Sequence, residues 1–434
     1  MKIVHITAGA GGRICGSCLH DNALVRALQA RGCDAILVPA YVPTTTDEEN
    51  VSIGRVVMGG VNVWLQEHLP LLRYTPGFLD RPFDSPRLLA WLSGRTGFAR
   101  PADLGPLTVS SLEGEAGRQR KEVRRLVRWL ASEVQPDVVH LSNILLMGLA
   151  REIRTKVGAR VVCSLSGEDV FIDQIPEPDR GLIWHLLRER SQDIDQFVAL
   201  NQFYAGEMGR LMGVPPERIT VIPHGVNLAA FPAERPDLVA RREQRGGRLV
   251  VGFLARACPE KGLDQAIRAL ARLAEGYDVE LRAAGATIAA ERTYLEGCLA
   301  LAEELGVADR FCWLGQVDHA GKHALFNAID LFVMPATHPE AKGLPVIEAM
   351  AAGVPVVVPD EGAFPELLDG ERAGLLHVPR SPADLAATVA ELAADNQRAA
   401  AIGRYGHELV RTRYEAGMMA SAHAGLYERL VAGE

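Results

Sequence analysis

The stretch Arg248-Leu-Val-Val-Gly-Phe-Leu-Ala-Arg-Ala-Cys-Pro-Glu-Lys-Gly262 decides the fold. Its first six residues are a short, mostly apolar run, which is typical of a buried strand. A loop follows, and helix-period spacing of apolar residues begins after Gly262. Strand, loop and helix in that order are the repeating unit of a parallel sheet covered by helices. The stretch therefore predicts an α/β protein.

The same alternation of short apolar runs and longer helical stretches continues on both sides of this stretch. In the first half, the expected strands are 3–6, 35–38, 138–140, 160–164, 197–200 and 220–222, and the expected helices are 22–30, 119–132, 146–155, 181–192 and 205–212. In the second half, the expected strands are 248–253, 279–284, 311–313, 331–333 and 355–358. These are two Rossmann-like halves. The connector 223–247, with its prolines and paired glycines, is typical of a domain boundary.

The composition excludes several classes of protein. The chain has 434 residues, and 54 acidic against 46 basic side chains give a formal charge of −8, which does not suit nucleic-acid binding. With 48% hydrophobic and 23% charged residues, the balance is that of a folded globular protein. The length predicts two or three domains, each large enough to bury its own core.

The sequence also indicates a compartment. No apolar run approaches the ~20 residues that a membrane-spanning helix needs. The N-terminus lacks the pattern of a signal peptide, so we expect a cytoplasmic protein. Seven cysteines, an odd number in a long chain, indicate reduced thiols rather than a disulfide framework.

Charged side chains follow two strands of the second half. Arg256 and Lys261 lie between a strand and a helix start, where two fixed cations would suit a diphosphate. Glu340 follows a later strand, and Glu348 comes eight residues on, in the next helix. Carboxylates so placed can accept hydrogen bonds from sugar hydroxyls. The turn Lys342-Gly343-Leu344 offers backbone N–H groups to phosphate.

A glycine-rich loop follows the first strand, in the stretch 8–18. Its spacing is not G-x-G-x-x-G, and the second strand ends without the acidic residue that would hold a ribose, so the loop is a poor match to an NAD-binding fingerprint. Cys15 and Cys18 form a C-x-x-C pair at the start of the following helix. They are small residues that pack a tight loop, with redox or metal chemistry and acceptor contact as alternatives.

Taken together and in this order, the motifs resemble those of the family-four glycosyltransferases of the GT-B fold. The resemblance covers nearly the whole chain and is strongest at 221–376. Five elements carry it: Ile222-Pro-His-Gly-Val-Asn227, Arg-x4-Lys-Gly from Arg256, Glu-x7-Glu from Glu340 with Gly-Leu-Pro inside it, the Pro-Val-Val that follows, and Gly362-Ala-Phe-Pro-Glu366. The family's fold implies two Rossmann-like domains facing a cleft, over 1–222 and 223–413, with a C-terminal helix at about 414–434 that returns to the N-terminal domain.

The resemblance implies roles for individual residues. Arg256 and Lys261 would neutralise the departing diphosphate, and Glu340 would meet the donor sugar. Glu348 would hold the ribose hydroxyls. Gly343 and Leu344, in the turn that begins at Lys342, would supply N–H groups to phosphate, and Gly11 and Gly12 match the family's glycine-rich loop. Family members retain the anomeric configuration and need no bound metal or other cofactor, since the cation pair supplies the electrostatic stabilisation.

Two departures from the family pattern concern catalytic histidines. Where many members have His-x-His, this chain has His140-Leu-Ser142, and where many have His-Gly-x-Asp it has Ser166-Gly-Glu-Asp169. The candidates for orienting an acceptor hydroxyl or taking its proton are therefore Glu168, Asp169 and His140. For His140 the alternative is a structural role, because a histidine that ends a buried strand is often a core residue.

Two further segments are candidate interaction elements. The irregular, aromatic stretch 44–110 is either a lid or binding element or a packed surface excursion. The helix 118–128 sets apolar residues on one face and a cluster of cations on the other. Such a helix is either a solvated face over a core stripe or a contact with an anionic membrane surface, as in lipid-modifying relatives.

The sequence therefore favours a retaining, metal-independent glycosyltransferase that moves a sugar from a nucleoside-diphosphate sugar to an acceptor hydroxyl on a sugar, a lipid-linked molecule or a small molecule. The N-terminal domain would bind the acceptor and the C-terminal domain the nucleotide sugar. The alternative is a non-catalytic sugar-nucleotide-binding protein or partner subunit, which the missing histidines motivate. A two-domain oxidoreductase is a third hypothesis.

Overall fold

The computed structural model describes residues 1–9, 16–46, 48–59, 104–231 and 242–433. The chain divides into two compact units: Met1–Gly225 with Ala416–Glu434 form the first unit, and Val226–Glu415 form the second. Each unit holds one six-stranded sheet. The α/β class with two parallel, Rossmann-like sheets is therefore confirmed.

The first unit has the strand order β2-β1-β3-β4-β5-β6. Its strands are β1 (Lys2–Thr7), β2 (Asp34–Pro39), β3 (Val138–Leu141), β4 (Arg160–Leu165), β5 (Gln196–Ala199) and β6 (Ile219–Val221). Its α-helices before the second unit are α1 (Gly16–Ala30), α2 (Gly105–Glu113), α3 (Arg120–Trp129), α4 (Ala150–Glu152), α5 (Asp169–Asp173), α6 (Asp179–Arg190) and α7 (Gln202–Met212). Short 3-10 or π-helical turns lie at Gly114–Ala116, Leu130–Val134, Ile144–Leu149, Ile153–Val157, Ser191–Asp193 and Pro216–Arg218.

The second unit has the strand order β12-β11-β10-β7-β8-β9. Its strands are β7 (Leu249–Leu254), β8 (Val279–Ala284), β9 (Phe311–Trp313), β10 (Leu331–Val333), β11 (Val356–Pro359) and β12 (Gly374–His377). Its α-helices are α8 (Leu263–Leu273), α9 (Arg292–Glu304), α10 (His319–Ala328), α11 (Leu344–Ala351), α12 (Phe364–Leu367), α13 (Pro382–Ala394) and α14 (Asn396–Arg413). Short 3-10 turns lie at Leu228–Ala230, Pro259–Lys261, Ala289–Glu291 and Ala308–Arg310.

The stretch that predicts the fold shows why these elements form. All six residues of β7 are buried, as a strand inside a parallel sheet with both faces covered requires. Helix α8 buries apolar side chains at three- and four-residue spacing, namely Leu263, Ala266, Ile267, Leu270 and Leu273. Strand and helix therefore bury apolar faces in the same core.

The last helix, α15 (Ala416–Ala432), belongs to the first unit although it follows the second in sequence. It contributes Met419, Ala420, Ala424, Leu426 and Tyr427 to a core cluster with side chains of α1, β1 and β3. The expected return of the C-terminal helix to the N-terminal domain is therefore confirmed.

Some predicted segments differ from the structure. Strand β12 is not among the expected strands, and α1 begins at Gly16, six residues before the expected start. Most of the irregular stretch 44–110, including its aromatic residues, lies outside the described residues. Among the described helices, none combines the length and the apolar character that crossing a bilayer would demand.

Candidate active site

The loops that follow β7 and β10 lie side by side in the second unit, because these two strands are neighbours in the sheet. Two hydrogen bonds join the loops: Thr337 N to Glu260 O at 3.0 Å and Thr337 Oγ1 to Pro259 O at 2.9 Å. Gly262 allows this approach, because its φ is +72° and a Cβ there would lie 1.9 Å from Pro335 O. The packing brings Lys261, just before α8, to the loop that carries Glu340.

Lys261 and Glu340 form an ion pair through the ammonium and Oε2. The Glu340 side chain is only 11% exposed. Burial alone would raise the pKa of this carboxyl, but the charge of Lys261, its hydrogen bond, and the backbone N–H groups of Lys342 and Gly343 outweigh burial and lower the pKa to about 2. Glu340 is therefore an anion at neutral pH, held against a fixed cation.

The backbone N–H groups of the turn after Glu340 have a different partner from the phosphate that the sequence analysis expected. The N–H of Lys342 donates to Glu340 Oε1 at 3.2 Å, and the N–H of Gly343 also interacts with this carboxylate. The sequence predicted that the Gly343 N–H would serve a phosphate. In the structure, the carboxylate of Glu340 takes the interaction that an anionic ligand would take.

Gly343 fixes the start of α11. Its φ is +62°, a backbone conformation that favours glycine, and a Cβ there would lie 2.4 Å from Leu367 Cδ1, so that a larger residue would also displace this leucine. Leu344 is the first residue of α11, which buries Val346 and Ile347. This anchored helix carries Glu348, one turn after its start.

Glu348 is buried and pairs with a lysine from α10. Lys322 Nζ lies 2.6 Å from Glu348 Oε1, and the two residues are 9% and 8% exposed. Sequence analysis predicted Glu348 as a site residue but not Lys322. A signal did exist, because Lys322 precedes Leu325 and Phe326 at helical spacing and so lies on the buried face of α10.

Arg256 is half-exposed and has a different partner from Lys261. Its Nη1 lies 3.0 Å from Glu291 Oε1, and its side chain is 49% exposed. Burial lowers the pKa of Arg256, but the nearby Cys258 and Glu291 more than compensate and leave the pKa raised. Burial raises the pKa of the Cys258 thiol to about 11. The guanidinium therefore stays charged beside the end of β7.

In the first unit, Asp169 is the first residue of α5, after β4, and Glu168 is the N-cap residue immediately before it. Glu168 accepts hydrogen bonds from Ser166 N at 2.8 Å and Ser166 Oγ at 2.6 Å. Tyr204 donates to Asp169 Oδ1 at 2.7 Å and accepts from the N–H of Gly167 at 2.9 Å. Burial, together with the two carboxylates, raises the pKa of Tyr204 well above its usual value, so it remains a neutral donor.

His140 lies in the core of the first unit. The residue is fully buried, its Nδ1 is 2.6 Å from Tyr427 Oη, and its Nε2 is 2.8 Å from Ser164 Oγ. Burial, with the charges of neighbouring histidines, lowers its pKa well below the usual range. These contacts favour the core alternative over direct contact with a substrate.

Other buried histidines lie in the first unit, and the sequence analysis assigned no role to any of them individually. His5 Nε2 is 2.9 Å from Asp21 Oδ1, and both side chains are buried. His20 Nδ1 lies 2.5 Å from His224 Nδ1. Only the tertiary fold brings these residues together, since His20 and His224 are 204 residues apart.

The remaining predicted residues are placed as follows. Gly11, Gly12 and Cys15 lie outside the described residues, and Cys18 is buried in α1. Helix α3 buries Val123, Leu126 and Val127, so its apolar face already packs within the protein. Over the described ranges, no three histidine, cysteine or acidic side chains are grouped as a metal site would require.

The low pKa of Glu340 predicts how stability depends on pH. Because the folded-state pKa is below the unfolded value, the ion pair contributes stability above about pH 4.5 and loses it as pH falls towards 2. Relative to Glu340→Gln, we expect the wild-type protein to gain on the order of 3 kcal/mol at pH 7, and the gain to shrink in acid. Denaturant unfolding at several pH values measures this. A difference that stays constant down to pH 2.5 would contradict the assignment.

Comparisons with known proteins point to one family. The family model described as "Glycosyl transferases group 1" matches residues 234–409, and "Glycosyltransferase Family 4" matches residues 100–230. A GDP-mannose-dependent alpha-(1-6)-phosphatidylinositol monomannoside mannosyltransferase of Mycobacterium tuberculosis is 31% identical over 277 residues, 61% of this chain and 69% of that one. A 2-deoxystreptamine glucosyltransferase of Streptomyces kanamyceticus is 31% identical over 321 residues, 71% of this chain and 80% of that one.

Two solved structures share the fold. The sucrose-phosphate synthase of Thermosynechococcus elongatus aligns with a TM-score of 0.72 at 20% identity and covers 100% of both chains. Anabaena HepE in complex with UDP aligns with a TM-score of 0.71 at 19% identity, covering 99% of this chain and 100% of that one. At these identities the likeness concerns the fold.

Proposed function

Because this chain belongs to the family-four glycosyltransferases of the GT-B fold, we propose that it transfers a sugar from a nucleoside-diphosphate sugar to an acceptor hydroxyl, with retention of the anomeric configuration and without a bound metal or other cofactor. The observation that carries the proposal is the grouping at the carboxyl ends of β7 and β10, where Lys261 pairs with Glu340. Ligands of open α/β sheets bind at that end of the strands.

The charges of the second unit suit the donor. When the bond from the anomeric carbon to the diphosphate breaks, its electron pair leaves with the phosphate oxygen. The cations of Arg256 and Lys261 would stabilise this developing negative charge, which is the task that a metal ion performs in other transferases. The anionic Glu340 would face the positive charge that develops on the sugar, and Glu348 would accept hydrogen bonds from the ribose hydroxyls.

Before Lys261 can bind a phosphate, its ammonium must share or give up its ion pair with Glu340. The N–H groups of Lys342 and Gly343 also interact with that carboxylate, so they too must leave it before they can donate to a phosphate. We propose that the donor displaces these internal contacts and leaves Glu340 beside the sugar. The negative charge of the diphosphate would offset the cost of breaking these contacts.

Retention requires the acceptor oxygen to bond the anomeric carbon on the face that the diphosphate leaves. We propose that the first unit binds the acceptor and that Glu168 and Asp169 orient its hydroxyl or take its proton. The alternative destination for the proton is the released diphosphate. The hydrogen bonds from Ser166 and Tyr204 would hold the two carboxylates in place.

The names of the relatives guide the choice of substrates to test. One relative is GDP-mannose-dependent and is named for phosphatidylinositol monomannoside, and another is named for 2-deoxystreptamine. A third is a D-inositol 3-phosphate glycosyltransferase. We therefore propose acceptors that carry an inositol-like ring, free or lipid-linked, and a cytoplasmic location. Any contact of α3 with an anionic membrane would be mainly electrostatic, because Val123, Leu126 and Val127 are buried.

A donor panel tests the proposal. Purified protein is incubated with UDP-, GDP- and ADP-sugars, with and without inositol, phosphatidylinositol and 2-deoxystreptamine, in the presence of EDTA. We expect transfer or slow hydrolysis of one donor, and NMR of the product should show the donor's anomeric configuration. Binding without turnover would favour the alternative, a non-catalytic partner subunit. Inversion, or dependence on added metal, would contradict the mechanism.

Glu168→Gln tests the proposed role in the first unit. We expect kcat to fall by about 10²-fold, the usual contribution of a general base, while the affinity for the nucleoside diphosphate stays unchanged. Steady-state rates and calorimetry measure the two quantities. Asp173→Asn, at the exposed end of the same helix, is the matched control and should be neutral. Near-normal kcat in Glu168→Gln would exclude this residue as the base.

A further inference from the structure

Lys322 is a buried lysine to which the proposed mechanism assigns no role. Its side chain lies in α10 and its ammonium is 2.6 Å from Glu348 Oε1. Lysine is among the residue types least often buried, and it is buried chiefly when a partner compensates its charge. The inference that follows rests on the proposed function, because Glu348 is the residue proposed to hold the ribose.

The backbone on both sides of this pair is fixed. Asp318 caps α10 by accepting a hydrogen bond from Gly321 N at 2.8 Å, and the N–H of Lys322 donates to Asp318 O at 2.9 Å. One turn further on, Phe326 is fully buried in the core. On the other side, α11 is anchored by its glycine start and its buried apolar residues. The two charged groups are therefore held close together by two well-anchored helices, α10 and α11.

A buried carboxylate that binds a neutral hydroxyl faces a physical difficulty. Removing the anion from water is costly, and a ribose hydroxyl supplies no charge to compensate. A fixed ammonium supplies that charge and a charge-assisted hydrogen bond, which also restricts the carboxylate to one orientation. The carboxylate then accepts the ribose hydroxyls without paying for reorientation when the donor binds.

We propose that Lys322 is a positioning residue for nucleotide recognition: its ammonium holds the Glu348 carboxylate oriented towards the ribose 2′- and 3′-hydroxyls of the donor. Lys322 acts through Glu348 and not on the diphosphate or the sugar. Its contribution to affinity therefore exists only for ligands that carry ribose hydroxyls. This distinguishes it from Lys261, which the proposed mechanism assigns to the diphosphate.

The test compares two ligands across variants. Calorimetry measures the binding of the nucleoside diphosphate that the donor panel selects and of its 2′,3′-dideoxy analogue. For Lys322→Met, we expect the affinity for the ribose form to fall roughly 10- to 100-fold, as loss of a hydrogen bond to a charged group predicts. The affinity for the dideoxy form should change less than about twofold on the same reasoning. Lys322→Arg should restore part of the loss.

Two further variants control for nonspecific effects and test whether Lys322 acts through Glu348. Lys156→Met, which removes an exposed lysine–glutamate pair in the first unit, is the matched control and should leave both affinities unchanged. The double variant Lys322→Met/Glu348→Gln should lose no more ribose-dependent affinity than Glu348→Gln alone, because both changes remove one recognition unit. If Lys322→Met does not fold, Lys322→Gln takes its place in the same comparison.

The outcomes separate the inference from the proposed function. An equal loss for both ligands would show a general distortion of the site and overturn the positioning role, and so would an unchanged affinity for the ribose form. If the wild-type protein binds none of UDP, GDP and ADP, the proposed function fails first. A loss confined to the ribose form supports both.

Discussion

Lys261→Ala should lower the rate of transfer by about 10³-fold, because it removes a fixed positive charge from the proposed binding site of the departing diphosphate. The variant also leaves Glu340 without its ammonium partner in a mostly buried position. We therefore expect a loss of unfolding free energy of about 3 kcal/mol, the usual cost of breaking a buried ion pair. Initial rates at saturating donor and denaturant unfolding measure the two effects.

The control for Lys261→Ala is Arg372→Ala, in the same unit. Arg372 pairs with Asp369 at 2.7 Å and lies over the Tyr405 ring, and its side chain is 67% exposed, so its removal should leave the rate unchanged and lower the unfolding free energy by less than about 1 kcal/mol. Lys261→Arg keeps a cation and should recover part of the activity. Near-normal transfer by Lys261→Ala would remove the residue from the donor site.

Glu340→Gln should lower kcat by at least about 10²-fold, although the substitution hardly changes the shape of the side chain. The amide cannot carry the negative charge that the proposed mechanism sets against the sugar. The free Lys261 ammonium would still attract the diphosphate, so we expect the affinity for the nucleoside diphosphate to be kept or increased. Separate measurement of kcat and of diphosphate affinity tests this divergence.

The control for Glu340→Gln is Glu391→Gln, which removes the partner of Arg398 in an exposed pair of the same unit. Its kcat should stay within about twofold of the wild-type value, since exposed pairs contribute little. A Glu340→Gln variant with near-normal kcat would exclude the proposed role of that carboxylate. A parallel loss of diphosphate affinity would instead indicate that the loop carrying Glu340 had collapsed.

The sequence predicted most of the fold because strands buried in a parallel sheet are continuous apolar runs. Strands β8, β9 and β10 coincide with the predicted bounds. Strand β12 was missed because Gly374-Leu-Leu-His377 offers only two apolar side chains between a glycine and a histidine. Such a run is too short for periodicity to distinguish from a loop.

The sequence predicted the site only in part. It selected Lys261, Glu340 and Glu348 as candidates because motif order and spacing bring charges to strand ends, and these three residues remain predictions. It could not show that Glu340 takes the N–H of Gly343, since that depends on the local backbone conformation. Nor did it assign Lys322 to Glu348, which lies 26 residues away and on another helix.

His140, in the first unit, is another residue whose role the sequence alone does not determine. Its position at the end of a strand suits both a catalytic and a core role. What separates them is Tyr427, 287 residues further along the chain, whose hydroxyl lies 2.6 Å from Nδ1. Contacts at that separation are set by how α15 packs, which local sequence patterns do not encode.

A crystal structure of the protein with the nucleoside diphosphate that the donor panel selects tests the proposed donor site most directly. We expect the diphosphate to lie between Arg256 and Lys261, at the carboxyl end of β7. The ribose hydroxyls should contact Glu348, and the Lys261 ammonium should have turned from Glu340 to a phosphate. A nucleotide bound elsewhere, or one whose phosphates leave the Lys261–Glu340 pair intact, would contradict the proposed site.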